Sequence, residues 1–95
     1  MEIQHSFNKS DGRFFIKEEG KLLAEMTYEI KSDNVILITH TEVSDQLEHK
    51  GIGRKMLALT VELARESKME LRSICTFAKS ILDKTEEYHD VYKIK

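Results

Sequence analysis

Two glycines at the start of a helical stretch form the first candidate site in this 95-residue chain. Gly51 and Gly53 allow a tight turn that presents backbone N–H groups at a helix start, where these groups lack intrahelical partners and attract anions. Basic side chains crowd the same helix start, although a cation there is normally unfavourable by roughly 0.3–1 kcal/mol. They are His49, Lys50, Arg54 and Lys55. A phosphate or pyrophosphate would offset them, so the pattern indicates a phosphate-binding loop; a plain strand-to-helix connection with exposed lysines is the alternative that the loop alone leaves open.

The spacing of this loop excludes two common phosphate motifs. The dinucleotide-binding fingerprint needs a third glycine three positions after the second, and Met56 stands there. The P-loop needs four residues between its glycines, followed by lysine and then serine or threonine, and this loop has neither feature.

Three other residues could take part in proton or acyl transfer. His40 and Glu42 lie two apart in a predicted strand, so their side chains share a face, and either could accept a proton from an amine, directly or through water. Cys75 lies between a predicted strand and a predicted helix, and a helix N-terminus favours the thiolate form of a cysteine. Cys75 could therefore accept an acyl group, or it could act only as an acid that protonates a leaving sulfur. Purely structural roles remain open for all three: a hydrogen-bonded histidine, a solvated glutamate and a small buried cysteine.

Periodicity predicts the elements that must position these residues. A shorter strand is predicted over 13–18, and a strand rich in β-branched residues over 35–43, whose first four positions are apolar on both faces as in a central strand. Alternation with period two indicates a strand over 21–30 and predicts that one of its faces enters the core. That face consists of Leu22, Ala24, Met26, Tyr28 and Ile30. From residue 52 the period becomes helical, with a broad apolar stripe. The stripe consists of Ile52, Met56, Leu57, Leu59, Thr60, Val61, Leu63 and Ala64.

The remaining pattern completes the fold prediction. A strand over 70–74 is followed by a short helix from Thr76, with Phe77, Ala78, Ile81 and Leu82 on one side, and by a final turn after Thr85. We therefore predict an α+β fold in a single domain over residues 1–95. Its centre is a largely antiparallel twisted sheet of about five strands, accompanied by two or three helices.

Composition limits the function classes. Charged residues make up 34% of the chain but the net charge is only −2, which does not favour a nucleic-acid or membrane binder. The single cysteine rules out an internal disulfide and fits a reducing compartment, and no signal peptide or membrane-spanning run is visible. We expect a cytoplasmic protein, and we assign no metal site.

Three motifs in this order resemble a known family. Residues 38–57 resemble the core of the GNAT N-acetyltransferases, in which a strand ends beside an x-x-G-x-G/A loop that opens a helix. More narrowly, the chain resembles the short single-domain bacterial-type subclass, which has Thr-His-Thr-Glu-Val, then Gly-Ile-Gly, then Cys-x-Phe. Here these are residues 39–43, 51–53 and 75–77, and the resemblance extends over about 21–88. It implies a minimal GNAT-like fold that binds acetyl-CoA or coenzyme A.

The resemblance also implies roles for individual residues. In the family the fourth strand bulges and its backbone pairs with the pantetheine arm, a position that Glu42 and Val43 occupy here. The 49–55 loop would hold the phosphates, Phe77 and Lys79 would line the pantetheine or reach a phosphate, and Cys75 would lie near the thioester. The expected reaction is direct acetyl transfer to an unidentified small-molecule or protein amine, by a monomer.

Two departures from the family pattern leave a second function open. Glu48 stands where the family usually has glutamine or arginine. The chain is also too short for the helices that most members place between their first two strands, where they often form a wall of the acceptor site. The alternative is therefore a module that binds coenzyme A or acyl-CoA with little or no transferase activity.

Overall fold

Five strands and two helices make up the computed structural model, which describes residues 2–93. The strands are β1 (Gln4–Phe7), β2 (Asp11–Glu18), β3 (Lys21–Lys31), β4 (Val35–Val43) and β5 (Glu70–Ser73). The helices are α1 (Ile52–Ser67) and α2 (Thr76–Lys84), with 3-10 turns at Asp45–Leu47 and Glu86–Tyr88. The strands follow chain order in one sheet, antiparallel except for the parallel pair β4 and β5. The predicted α+β class is confirmed, whereas β1 was not located from the sequence.

A bulge in β3 decides which leucine enters the core. Ile16 of β2 pairs with Ala24, but the next residue, Lys17, pairs with Leu22, so Leu23 has no direct partner. An extra residue of this kind shifts the alternation of the strand by one position. Leu23 is therefore buried at 8% exposure while Leu22 is 45% exposed. The prediction that Leu22 faces the core was wrong for this reason.

A second bulge, in β4, reverses the alternation where the candidate site begins. Tyr28 of β3 pairs with Ile38, but Thr27 pairs with His40, which leaves Thr39 unpaired. Residues directly opposite each other in an antiparallel pair share a face. Thr41 and Val43 pair with the buried Met26 and Ala24, respectively, so they lie on the core face. His40 and Glu42 consequently lie on the opposite face.

Both helices cover the same face of the sheet. Their buried residues join Phe14, Ile16, Met26, Ile36 and Ile38 in one core cluster. The predicted α1 stripe is buried except at Leu59, which is exposed, and at the partly buried Leu63. The other face, called here the open face, carries strand residues that contact one another rather than a described helix. It includes Arg13, Phe15, Glu25, Thr27, His40 and Glu42.

Arg65 fixes the end of the described chain against α1. Its guanidinium bonds to Asp90 at 2.8 Å, to Glu62 at 2.6 Å and to the carbonyl of Glu87 at 2.7 Å. The hydrogen bond from Arg65 lowers the pKa of Asp90. This arrangement holds the segment after α2 beside the C-terminal end of α1.

Candidate functional site

The strands β4 and β5 separate after a short parallel pairing, and a gap opens between them. Their register runs from Val35 opposite Glu70 to Ile38 opposite Ser73, and a last bond joins the Ile74 N–H to the Ile38 carbonyl at 3.0 Å. The rest of β4 continues without a partner on that side among residues 2–93. The second half of β4 therefore has a free backbone edge.

Alternation along β4 identifies which backbone groups point into this gap. The Ser44 N–H donates to the Leu23 carbonyl at 2.7 Å, so the pair formed by residues 23 and 44 is hydrogen-bonded across the sheet. In an antiparallel pair, hydrogen-bonded positions alternate with positions whose N–H and C=O groups face away. Glu42 and His40 therefore bond to β3, whereas Thr41 and Val43 present their backbone groups to the gap. Those two residues form the available edge.

A groove of about 450 Å³ lies at this gap. It joins the free edge of β4 to the loop before α1, the first turn of α1 and the first turn of α2. Its lining consists of Thr41, Val43, Leu47, Glu48, His49, Gly51, Ile52, Gly53, Arg54 and Phe77. It contains most of the residues that the sequence predicts for cofactor binding.

The loop before α1 presents an uncapped helix N-terminus to the groove. Ser44 caps the first 3-10 turn by accepting from the Gln46 N–H, and the buried side chain of Leu47 anchors the loop. Gly51, at φ 71°, then occupies the N-cap position of α1 without a side-chain cap. The first turn of α1 contains no acidic residue, so no side chain there offsets the positive end of the helix dipole. The first N–H groups of α1 have no partner within the helix.

Cys75 lies outside the groove lining, next to Thr41. The Ser73 hydroxyl accepts from the Cys75 N–H at 3.0 Å and donates to the Cys75 carbonyl at 2.9 Å, which fixes the residue at the start of α2. The Cys75 thiol donates to Thr41 Oγ1 at 3.3 Å. Because Thr41 lines the groove, the partly buried thiol is one side chain removed from it.

His40 and Glu42 share a face, but it is the open face. His40 Nε2 lies 3.2 Å from Glu42 Oε1, and both side chains are exposed. The bulge at Thr39 places them across the sheet from the groove, and Glu42 uses its backbone to bond with β3. Of the pair Glu42 and Val43, only Val43 presents its backbone to the gap.

Three predicted lysines lie outside the groove lining. Lys50 and Lys55 are exposed beside the loop and the first turn of α1, within the same basic surface. Lys79 Nζ lies 3.2 Å from Asp83 Oδ2 one turn along α2, and this hydrogen bond is the main cause that raises the pKa of Lys79. The charge of Lys79 is therefore paired within α2 and not with a group of the groove.

Sequence reasoning did not assign Thr41, Leu47 and Glu48 to the site. Thr41 was hidden because the Thr39 bulge cannot be read from the period of β4. An isolated apolar residue in a polar loop, as at Leu47, was the available signal that this loop packs inward. Glu48 lines the groove itself, whereas the sequence analysis noted it only as a departure from the family pattern.

Neither a metal-binding side-chain cluster nor a membrane-spanning helix occurs within residues 2–93. No group of three or more histidine, cysteine, aspartate or glutamate side chains there is arranged to hold a metal ion. None of the helices in this range has the length and apolar character needed to span a membrane.

Comparison with known proteins gives one family. The model of the family described as GCN5-related N-acetyl-transferase matches residues 13–91. A GCN5-like protein from Staphylococcus aureus, with a solution structure from NMR, is 42% identical, with a TM-score of 0.78 over 96% of this chain and 86% of that one. None of the curated proteins matches the chain.

More distant structures share the fold alone. A ribosomal-protein-alanine N-acetyltransferase from Brucella melitensis biovar Abortus has 11% identity and a TM-score of 0.65, over 81% of this chain and 62% of that one. The structure of AAC(6')-Iy in complex with the bisubstrate analogue CoA-S-monomethyl-acetylneamine has 10% identity and a TM-score of 0.59. That match covers 81% of this chain and 61% of the other.

Proposed function

The chain belongs to the GCN5-related N-acetyltransferase family, and we propose that it transfers the acetyl group of acetyl-CoA to an amine. One observation carries the proposal: a single groove joins the free backbone edge at Thr41 and Val43 to the uncapped N-terminus of α1. The pantetheine arm contains amides that suit a free strand edge. The pyrophosphate suits a helix N-terminus. The groove offers both kinds of partner in the order in which acetyl-CoA needs them.

Phosphate binding rests on backbone N–H groups supported by positive side chains. The N–H groups of Ile52, Gly53 and Arg54 belong to the first turn of α1, and Arg54 and His49 line the groove. Lys50 and Lys55 add exposed positive charge nearby, which salt screens. Glu48 opposes them, because its carboxylate lines the same groove and repels a phosphate. The donor set therefore fits a pyrophosphate, with one unfavourable charge.

We place the thioester end of the groove at Thr41, whose hydroxyl accepts from the Cys75 thiol. Bound acetyl-CoA supplies an activated acetyl thioester there. In the proposed mechanism Cys75 passes its thiol proton to the Thr41 hydroxyl, Thr41 passes its own proton to the departing sulfur, and Cys75 regains a proton from solvent. We assign it this acid role beside a direct transfer, without an acetyl group passing through its own sulfur.

The amine approaches from the open face, where His40 and Glu42 lie. We assign the ring proton of His40 to Nε2, because the Glu42 carboxylate beside it accepts. This assignment makes Nδ1 the ring nitrogen that accepts a proton, and Glu42 orients the ring. As the amine nitrogen bonds to the acetyl carbon, the carbon–sulfur bond breaks and the amine proton passes to His40 Nδ1. The acetyl-CoA groove and the His40–Glu42 pair thus lie on opposite sides of the β4 edge.

A module that binds coenzyme A with little transfer remains the second candidate function. The observation that favours it is the open face, because no described helix covers the region beside His40 and Glu42. A site without such a wall orients an acceptor less well, and orientation supplies much of the rate in two-substrate reactions. In either case we place the protein in the cytoplasm as a single-domain monomer.

The proposed transfer is tested by following acetyl-CoA consumption with a panel of amines. We expect coenzyme A release that depends on both protein and amine, together with an acetylated amine detected by mass spectrometry. Intact protein from the same mixture should carry no lasting acetyl group on Cys75. Binding of acetyl-CoA by calorimetry without turnover of any amine would favour the binding module, and absence of both binding and turnover would reject both candidate functions.

A further inference from the structure

The two glycines of the loop are required for different reasons. Gly51 has φ of 71°, a left-handed conformation that favours glycine over other residues. Gly53 lies inside α1 and is absent from the residues with positive φ, so its backbone conformation is open to any residue. Glycine also lowers helix propensity relative to alanine. Some other requirement must therefore account for glycine at position 53.

The neighbour that a side chain at position 53 would meet is Phe77. A Cβ built on Gly53 would lie 2.6 Å from Cζ and 2.9 Å from Cε2 of the Phe77 ring. The third-nearest atom, Cε1 of the same ring, lies at 3.6 Å. Both residues line the groove, and the ring remains 41% exposed there. A ring from the first turn of α2 thus rests directly on the backbone of the first turn of α1.

A side chain at position 53 would point in a different direction from the N–H groups that bind a phosphate. The free N–H groups at a helix start point along the helix axis. A Cβ projects outward from the axis, and at position 53 it projects at the ring of Phe77. A methyl group there would displace the ring and leave the approach to the N–H groups of α1 open.

We infer that Gly53 is glycine so that the Phe77 ring can pack on α1, and that this contact sets the width of the groove between the two helices. The inference rests on the proposed function in so far as the groove holds coenzyme A. Gly53 is then a positioning residue that acts through Phe77. Cys75 lies two residues before Phe77, so the same contact also fixes the start of α2 where the thiol meets Thr41.

A double-mutant cycle tests the inference. Gly53→Ala is expected to weaken coenzyme A binding by roughly tenfold, because overpacking a fitted contact shifts its surroundings. In the Phe77→Ala background the same methyl group has no ring to displace, so Gly53→Ala is expected to lower the affinity of that variant by clearly less than tenfold. Calorimetric titration of coenzyme A into all four proteins measures the coupling between the two sites.

Two outcomes would overturn the inference. If Gly53→Ala weakened coenzyme A binding equally in the wild-type and Phe77→Ala backgrounds, the phosphates themselves would need glycine at this position. If it weakened coenzyme A binding in neither background, the position of the ring would have no effect on the groove. Thermal unfolding gives a readout that is independent of the ligand. Gly53→Ala should lower the midpoint in the wild-type background and raise it in the Phe77→Ala background, where only the gain in helix propensity remains. If the wild type failed to bind coenzyme A, this thermal cycle would still test the contact.

Discussion

Replacement of His40 by alanine is expected to lower kcat by roughly 10²- to 10⁴-fold, the usual contribution of a general base. The affinity for acetyl-CoA should stay unchanged, because the bulge at Thr39 turns His40 away from the groove. Steady-state release of coenzyme A measures the first effect, and calorimetry measures the second.

Two variants sharpen this prediction. Glu42→Gln keeps the shape of the side chain but removes the charge that orients His40, so we expect a smaller loss of kcat than in the alanine variant. Glu29→Gln is the matched control, because Glu29 is also an exposed strand glutamate, paired with Lys31 instead of His40. It should behave as wild type. An alanine variant with wild-type kcat would remove His40 from the mechanism.

Replacement of Ile38 by alanine is expected to cost about 2–5 kcal/mol of unfolding free energy, as for other large-to-small core substitutions. Ile38 is fully buried in the core cluster, and its carbonyl accepts the last hydrogen bond before β4 and β5 separate. The loss is large against the roughly 5–15 kcal/mol that stabilises a typical domain. Urea unfolding followed by circular dichroism measures it.

Leu37 provides the control for this stability prediction. It precedes Ile38 in β4, has the same number of side-chain atoms and lies half-buried on the open face. Leu37→Ala removes less buried surface, so its cost should be clearly smaller. Equal costs for the two variants would contradict the assignment of Ile38 to the core face and of Leu37 to the open face.

The bulges explain where sequence reasoning about the sheet reached its limit. Alternation located β3, which keeps period two over most of its length, whereas β-branched residues located β4. Alternation placed Leu22 in the core because nothing local in the sequence marks Leu23 as the extra residue of a bulge. A slip of one residue exchanges the two faces of a strand. Strand pairing decides where such a slip occurs, and pairing depends on residues distant in the chain.

In the candidate site, too, features set by neighbouring residues could be predicted and features set by distant residues could not. The loop at Gly51 and the first turn of α1 could be predicted, because a helix N-terminus and its flanking charges are adjacent in sequence. The side of the sheet on which His40 and Glu42 lie could not, since it depends on Thr39. The contact of Phe77 with Gly53 could not be predicted either, because it joins two helices through tertiary packing. β1 escaped prediction because four residues with a single partner strand carry too little periodicity.

The most direct test of acetyl-CoA binding in the groove is an NMR titration of isotope-labelled protein. The amide signals of Thr41, Val43, Ile52 and Gly53 should shift together with a common saturation curve as acetyl-CoA is added. Those of Gly20, in the turn between β2 and β3, should stay in place. Shifts confined to residues outside the groove, or no shifts at millimolar acetyl-CoA, would contradict the proposed site.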